Sequence, residues 1–366
     1  MPESSATGTT QRRKGEHVDI VLNEKVRADH NYWDDITLIH NSLPEVDFDE
    51  ISLETNFLGV KISAPIIISG MTGGFQKAQD INRTLAEAAA EFQIPMGVGS
   101  QRAAIEDPEM RTTYSVVSDY DVPLIIANIG APQLIKQRGK RAYGIEDAVA
   151  AMKMIDAGLI AVHLNYLQEV VQPEGDRAAE GVTEAIARIA SSLPVMAKET
   201  GGGISRRVAL SLKSAGVKAI DVGGLGGTSW SAVEYHRARR KHSPLGESLG
   251  RTFWNWGIPT PVSVIESQVG LPLVATGGIR NGLDAAKAIC LGAACAGVAG
   301  AVIGAASKGR SALNDKLNEI IEGLRATMFL TGVSRVSELS GIKCIITGMT
   351  REWLSATTAA ELHREA

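Results

Sequence analysis

From about Ile62 the chain alternates between two textures. Short β-branched runs end in Gly, Asn, Lys or Thr, and Ala/Leu/Glu-rich stretches with helical spacing follow them. The runs are PIIISG from residue 65, PMGVGS from 95, PLIIAN from 123 and LIAVHLN from 159. PVMAKET from 194, KAIDVGG from 218, PLVATGG from 272 and ACAGVAG from 294 complete the series. Several open with proline, which a strand tolerates at its first residue. Between them the spacing predicts helices over 80–92, 145–157, 178–192, 205–215, 262–269 and 282–291. Strand–helix units in series, eight in all, predict a parallel sheet closed as a single α/β domain, a (β/α)₈ barrel.

The spacing breaks in two ways. Nearly fifty residues, 224–271, separate the sixth and seventh runs and hold three of the five tryptophans and a basic stretch at 236–242. An insertion there belongs over the barrel mouth, where lids and substrate loops sit. The ends are decorated as well. Residues 1–12 read as a flexible tail, 13–64 as an N-terminal extension, 65–330 as the barrel with a long helix over 313–330 at its end, and 331–366 as a C-terminal helical extension with a terminal helix over 350–364.

Composition narrows the class. The 366 residues are 44% hydrophobic and carry a formal charge of −4, so there is no global basic field for nucleic acid, and any anion must be met by local charge. Cys290, Cys295 and Cys344 are an odd set without CxxC spacing, which fits reduced thiols rather than disulfides or zinc. The polar start lacks the apolar core of a signal peptide, and the longest small apolar run, 293–306, is too short to span a bilayer. A cytoplasmic enzyme is the expectation.

Barrel enzymes carry their chemistry at the C-terminal ends of strands. Here those ends read SGMTGG (69–74), GVGSQR (97–102), NIG (128–130), HLN (163–165), KET (198–200), GGLGGTSW (223–230), TGGIR (276–280) and Ala299-Gly300. The last three clusters look like a phosphate site. Glycines at 277, 278 and 300, with Ala299, let backbone N–H groups approach an anion, and Thr228 adds a hydroxyl. Lys198, at the end of VMAK, faces the mouth as a Schiff-base lysine, a phosphate clamp or a cation beside an anionic ring. No glutamate or cysteine is read at the places other barrel chemistries demand, and GGLGGTSW lacks a nucleophilic cysteine. On spacing alone QRRK at 11–14 is a solvated basic run, Glu169 an ordinary loop acid and His163 a satisfied strand-end histidine.

RKGEHV (13–18), SGMTGG, GVGSQR, NIGAPQL (128–134), HLNYLQEVVQPEGD (163–176), AKETGGGIS (197–205), GGLGGTSW and TGGIRNGLDAAKAI (276–289) together resemble type 2 isopentenyl-diphosphate isomerase, a flavin mononucleotide (FMN) enzyme of isoprenoid synthesis. The resemblance runs from about residue 12 to about 355, and RKxEH and HLNxxQExxQPEGD are its discriminating parts. It implies a flavin ring facing Met71, Thr72 and Gly73, with Ser100 and Asn128 bonded to it and Lys198 near its N1–O2 edge. Thr228, Gly278, Arg280, Ala299 and Gly300 would hold the cofactor phosphate. Arg13, Lys14, His17, Ser100, Gln101 and Arg102 would grip a substrate diphosphate, making 13–64 a substrate clamp. Glu169 would bind Mg²⁺, Gln168 would lie beside the allylic carbons, and His163 and Asn165 would complete the catalytic wall. The resemblance also implies reduction of the flavin by NAD(P)H and a tetramer or octamer. The chain departs from the family pattern at Leu225, where a longer polar residue is common, and at Ala299-Gly300-Ala301, where Ala-Leu-Pro is common. Two rivals remain: an FMN oxidoreductase acting on 2-hydroxy acids, which needs a histidine base paired with an arginine, and a non-catalytic flavin-binding barrel.

Overall fold

The computed structural model describes residues 6–365. All eight runs form strands of one closed barrel: Ile66–Ile68, Met96–Gly97, Ile125–Gly130, Leu159–Leu164, Val195–Glu199, Ala219–Asp221, Leu273–Thr276 and Cys295–Val298. The last pairs in parallel with the first, Gly297 opposite Ile67, which closes the sheet.

Strand alternation divides each run between two environments. Ile66, Ile68, Ile125, Ala127, Ile160 and Val162 pack into the large core that includes the surrounding helices. Their neighbours Ile67, Ile126, Ala161, Met196, Ala219, Val274 and Cys295 fill the barrel interior, where Phe57 and Ile62 of the hairpin Thr55–Phe57/Val60–Ile62 join them. Two residues further along the same inward faces stand Ser69, Asn128, His163, Lys198, Asp221, Thr276 and Gly297. One end of the interior is therefore plugged with hydrocarbon and the other lined with polar groups.

The expected helices appear as Ala78–Glu91, Ile145–Met154, Val182–Ala190, Arg206–Ser214, Thr260–Glu266 and Gly282–Cys290. The third starts four residues later than its composition suggests. The Gln137 side chain bonds both backbone groups of Ala178, and Gly181 turns the chain at φ +79°. The insertion folds mainly as Trp230–Arg240 and Pro244–Thr252.

The ends differ more from expectation. Residues 6–12, expected as tail, are the first turns of the helix Ala6–Asn23; residues 1–5 of that tail lie outside the described residues. Elongating a formed helix costs little once a nucleus exists, and Ile20 and His17 anchor this one in buried positions. The C-terminal extension is not purely helical. Between the helices Arg310–Thr331 and Gly348–Glu365, the strand Cys344–Ile346 pairs antiparallel with Ile36–Leu38 of the other extension. Its partner is too far along the sequence for local pattern to reveal. None of the described helices is long and apolar enough to cross a membrane.

Candidate active site

The polar end of the barrel opens into a cavity of about 750 Å³. Most of the expected site residues meet there: Arg13, Lys14, His17, Met71, Thr72, Gly73, Ser100, Arg102, Asn128, His163, Asn165, Gln168, Glu169, Lys198, Thr228, Gly278, Arg280, Ala299 and Gly300 all line it. Gln101 does not. Its amide is fully buried beneath the third strand, where Oε1 accepts from Asn128 N at 2.9 Å and Nε2 donates to Ala151 O at 2.8 Å. Consecutive residues at a helix start face different ways, so the motif's middle residue points inward.

On one wall the N-terminal helix presents Arg13, Lys14 and His17. Arg13 has no carboxylate within ion-pair distance among the described residues. Lys14 Nζ donates to Ser100 O (2.5 Å) and Tyr114 Oη (2.8 Å), and no carboxylate lies within ion-pair distance of it among the described residues, although Glu106 acts on it from further away. Burial, with Arg13 and Arg102 nearby, pulls the Lys14 ammonium down to about 7. An anion arriving here would restore the proton. Arg102 is less available, because Asp176 (2.6 Å) and Glu106 (2.7 Å) already engage it.

His17 Nε2 bonds Glu234 Oε1 at 2.8 Å and lies edge-on to Trp230. Burial would raise the Glu234 carboxyl, but His17, Arg237 at 3.1 Å and Gln168 hold it at about 2. Gln168 Nε2 donates to the same Oε1 at 3.3 Å. His163 is neutral: burial, then Lys14 and Lys198, press it to about 3. Asn128 Nδ2 donates to Val98 O, so its Oδ1 accepts from His163 Nδ1 (2.7 Å), which makes Nε2 the ring's acceptor.

Glu169 is buried, which raises its carboxyl. Oε1 accepts from Asn165 Nδ2 (3.0 Å), and Oε2 from Gln172 Nε2 and Asp176 N (both 2.7 Å). A carboxylate has about four lone-pair sites, so one remains on Oε1. Beside it Asn165 Oδ1 and Gln172 Oε1 are buried without partners. This all-oxygen set fits a hard cation that takes its other ligands from phosphate and water. Among the described residues no three His, Cys, Asp or Glu cluster as a metal cage.

The opposite wall is backbone. Gly277 and Gly278 (φ +118° and +79°) follow strand seven, and Ala299 and Gly300 open the helix Gly300–Ala306, whose first amides have no intrahelical acceptor. A Cβ on Gly227 would lie 2.7 Å from Gly278 N, so this cradle admits only glycine. The surface fits a cofactor phosphate. Arg280 stands at its rim, already paired with Asp34 (2.5 Å) and Asp284 (2.8 Å). Leu225 is buried away from the cavity, bonded through its backbone to Ile258 and Thr260, so this departure leaves the cradle intact.

The sequence of this chain matches the family model described as FMN-dependent dehydrogenase over residues 21–110 and 257–344, which takes in the strand-seven and strand-eight loops. It is 48% identical over 345 residues to the isopentenyl-diphosphate delta-isomerase of Thermoplasma acidophilum, covering 94% of this chain and 99% of that one. The isopentenyl-diphosphate delta-isomerases of Methanosarcina mazei and Pyrococcus furiosus are each 46% identical, over 352 and 354 residues and 94% of this chain, covering 94% and 89% of theirs. The chain belongs to the isopentenyl-diphosphate delta-isomerase family. Among solved structures, a mandelate oxidase superposes with a TM-score of 0.60 at 17% identity, over 94% of this chain and all of that one. A flavocytochrome b2 gives 0.56 at 16%, over 88% and 81%. These likenesses concern the barrel fold.

Three acids of this isomerase-family site escape a motif reading. Asp221 pairs with Lys198 at 2.6 Å, so the lysine's charge is countered inside the barrel. Its signal was register: Asp221 is two residues beyond inward-facing Ala219 and opposite Lys198 on the neighbouring strand. Glu199 lines the cavity, although KET was read for its lysine and no role was expected of the glutamate. Burial raises its carboxyl to about 7 despite hydrogen bonds to Oε2 from the backbone N–H groups of residues 200–203. Glu234 sits in a helix that reads as a basic surface segment, and only the fold turns it inward.

Proposed function

We propose that the chain interconverts isopentenyl and dimethylallyl diphosphate, using FMN in its reduced form together with Mg²⁺. The observation that carries this reading is one cavity with two walls suited to anions, the cations Arg13 and Lys14, which pair with no carboxylate among the described residues, on one side and the glycine cradle on the other. One wall suits a substrate diphosphate and the other a flavin phosphate.

The roles follow from the geometry. Arg13 and Lys14 would bind the diphosphate, and Glu169 would offer one oxygen to Mg²⁺, which would offset phosphate charge there. Val18, Phe75, Met71 and Trp230 line the space left for a five-carbon chain and keep water from it. Gln168, tethered to Glu234, fixes the allylic carbons, and neutral His163 offers Nε2 as an acceptor. Lys198, paired with Asp221, would stand beside the flavin ring and stabilise negative charge on it. When bound, reduced FMN supplies a proton-carrying nitrogen, and Mg²⁺ offsets phosphate charge. The net reaction adds one proton and removes another from C2, so it consumes no electrons.

An oxidoreductase acting on 2-hydroxy acids is disfavoured because Arg280, the arginine at the relevant strand end, is already tied to two carboxylates. The test is anaerobic turnover of isopentenyl diphosphate in D₂O after reduction by dithionite or NAD(P)H. Deuterium in the product with only catalytic reductant is the expected result. One NAD(P)H oxidised per substrate converted would overturn it.

A further inference from the structure

We propose that Asn31 and Trp33 of the N-terminal extension are positioning residues for the cofactor phosphate, orienting the amides of the loop after strand seven. This rests on the FMN reading above. The extension would then serve both ligands, through Arg13 and Lys14 for substrate and through residues 26–35 for cofactor.

The segment crosses from one cofactor loop to the next. Ala28 N donates to Gly227 O (2.9 Å) and Ser229 N to Val26 O (2.7 Å), so it pairs with the loop after strand six. It then reaches the loop after strand seven, where Trp33 Nε1 donates to Gly277 O at 2.9 Å and Asn31 Nδ2 to Gly278 O at 2.8 Å. These carbonyls belong to consecutive peptide units. In a planar trans peptide the N–H points opposite to the C=O, so the two bonds turn the N–H groups of Gly278 and Ile279 away from the brace. Both residues line the cavity, and neither amide has a backbone acceptor among the described residues.

A glycine pair left to itself samples more backbone orientations than any other dipeptide. Here the pair is obligatory. A Cβ on Gly277 would lie 2.3 Å from Gly224 O, and one on Gly278 would lie 2.7 Å from Asn31 Oδ1. The loop can approach the brace only as glycine, and the brace's two donors hold its two carbonyls in one orientation. The brace itself is fixed: Trp33 is fully buried, its carbonyl accepts from Lys287 Nζ (2.8 Å), and Asn31 Oδ1 accepts from Trp33 N (3.2 Å). Donors aimed before the ligand arrives require no reorganisation when it binds.

The experiment measures dissociation constants of FMN and of riboflavin, which lacks the phosphate, by quenching of flavin fluorescence on the apoprotein. Trp33→Phe keeps the buried ring and removes one donor. Asn31→Ser keeps a capping oxygen but is too short to reach Gly278. Each variant should weaken FMN by about tenfold while changing riboflavin by less than about twofold. A parallel loss of both flavins would mean that the residues merely support the fold, and unchanged FMN binding would mean that the loop orients itself. Either result overturns the proposal. A wild-type chain that binds neither flavin overturns the FMN reading and this inference with it, a distinct outcome.

Discussion

At the scale of single residues, Lys14 is a cation whose charge depends on the solution. Burial lowers its pKa to about 7, so the free protein carries the ammonium below that pH and loses it above. A bound diphosphate favours the charged form, and binding above pH 7 must therefore take up a proton. The KM for isopentenyl diphosphate should be nearly flat below pH 7 and rise by roughly tenfold per unit above it. Lys14→Arg, which cannot deprotonate in this range, should flatten that rise; steady-state kinetics from pH 6 to 9 checks both. On spacing alone the basic pair reads as a solvated run, because adjacent charges usually face water; only the resemblance carried by RKGEHV pointed it at a ligand. Gln101 misled because three polar neighbours in SQR look equivalent as letters, whereas the turn into the helix Arg102–Glu106 sends the middle one under the sheet.

At the scale of elements, the N-terminal helix is held down by charge as well as by hydrocarbon. Glu16 pairs with Arg237 (2.9 Å) and Lys241 (3.5 Å), and Asp19 pairs with Arg240 (2.6 Å), all on the insertion helix Trp230–Arg240 or just beyond it. Arg237 also meets Glu234 and Glu174, so one guanidinium joins the N-terminal helix, the insertion and the PEGD loop. Glu16→Ala should loosen the helix without emptying the cofactor wall. Its expected signature is a KM raised by roughly two- to tenfold, with kcat and FMN affinity within twofold of wild type. Added salt should narrow the difference, because the pairs are partly open to solvent. The sequence placed the insertion over the mouth from its position after strand six. That Glu16 and Arg237 meet could not be read from it, since neither helix carries a pattern that names its partner.

At the scale of the whole molecule, the barrel keeps rigidity and chemistry at opposite ends. Phe57 fills the closed end among Ile62, Ile67, Ile126 and Met196, in the apolar layer below the one that carries Lys198 and His163. Phe57→Ala should cost ~3–5 kcal/mol and lower Tm by roughly 5–10 °C, leaving FMN affinity and KM unchanged in the folded protein. Calorimetry with flavin titration would detect a coupling between the ends if there were one. The eight strands were legible because each buries both faces and so reads as an apolar run. The pairing of Ile36–Leu38 with Cys344–Ile346 was not, because it joins segments with no shared local signal. That pairing governs the order in which the protein can be completed as it is made. Asp35, next to the tryptophan that braces the cofactor loop, accepts from Thr350 N (3.0 Å) and Thr350 Oγ1 (2.7 Å), 315 positions later in the chain. A growing chain on the ribosome can close most of its barrel while this anchor does not yet exist. The anchor beneath the segment that bonds Gly277 and Gly278 can therefore form only once residue 350 has been made, after all eight barrel strands.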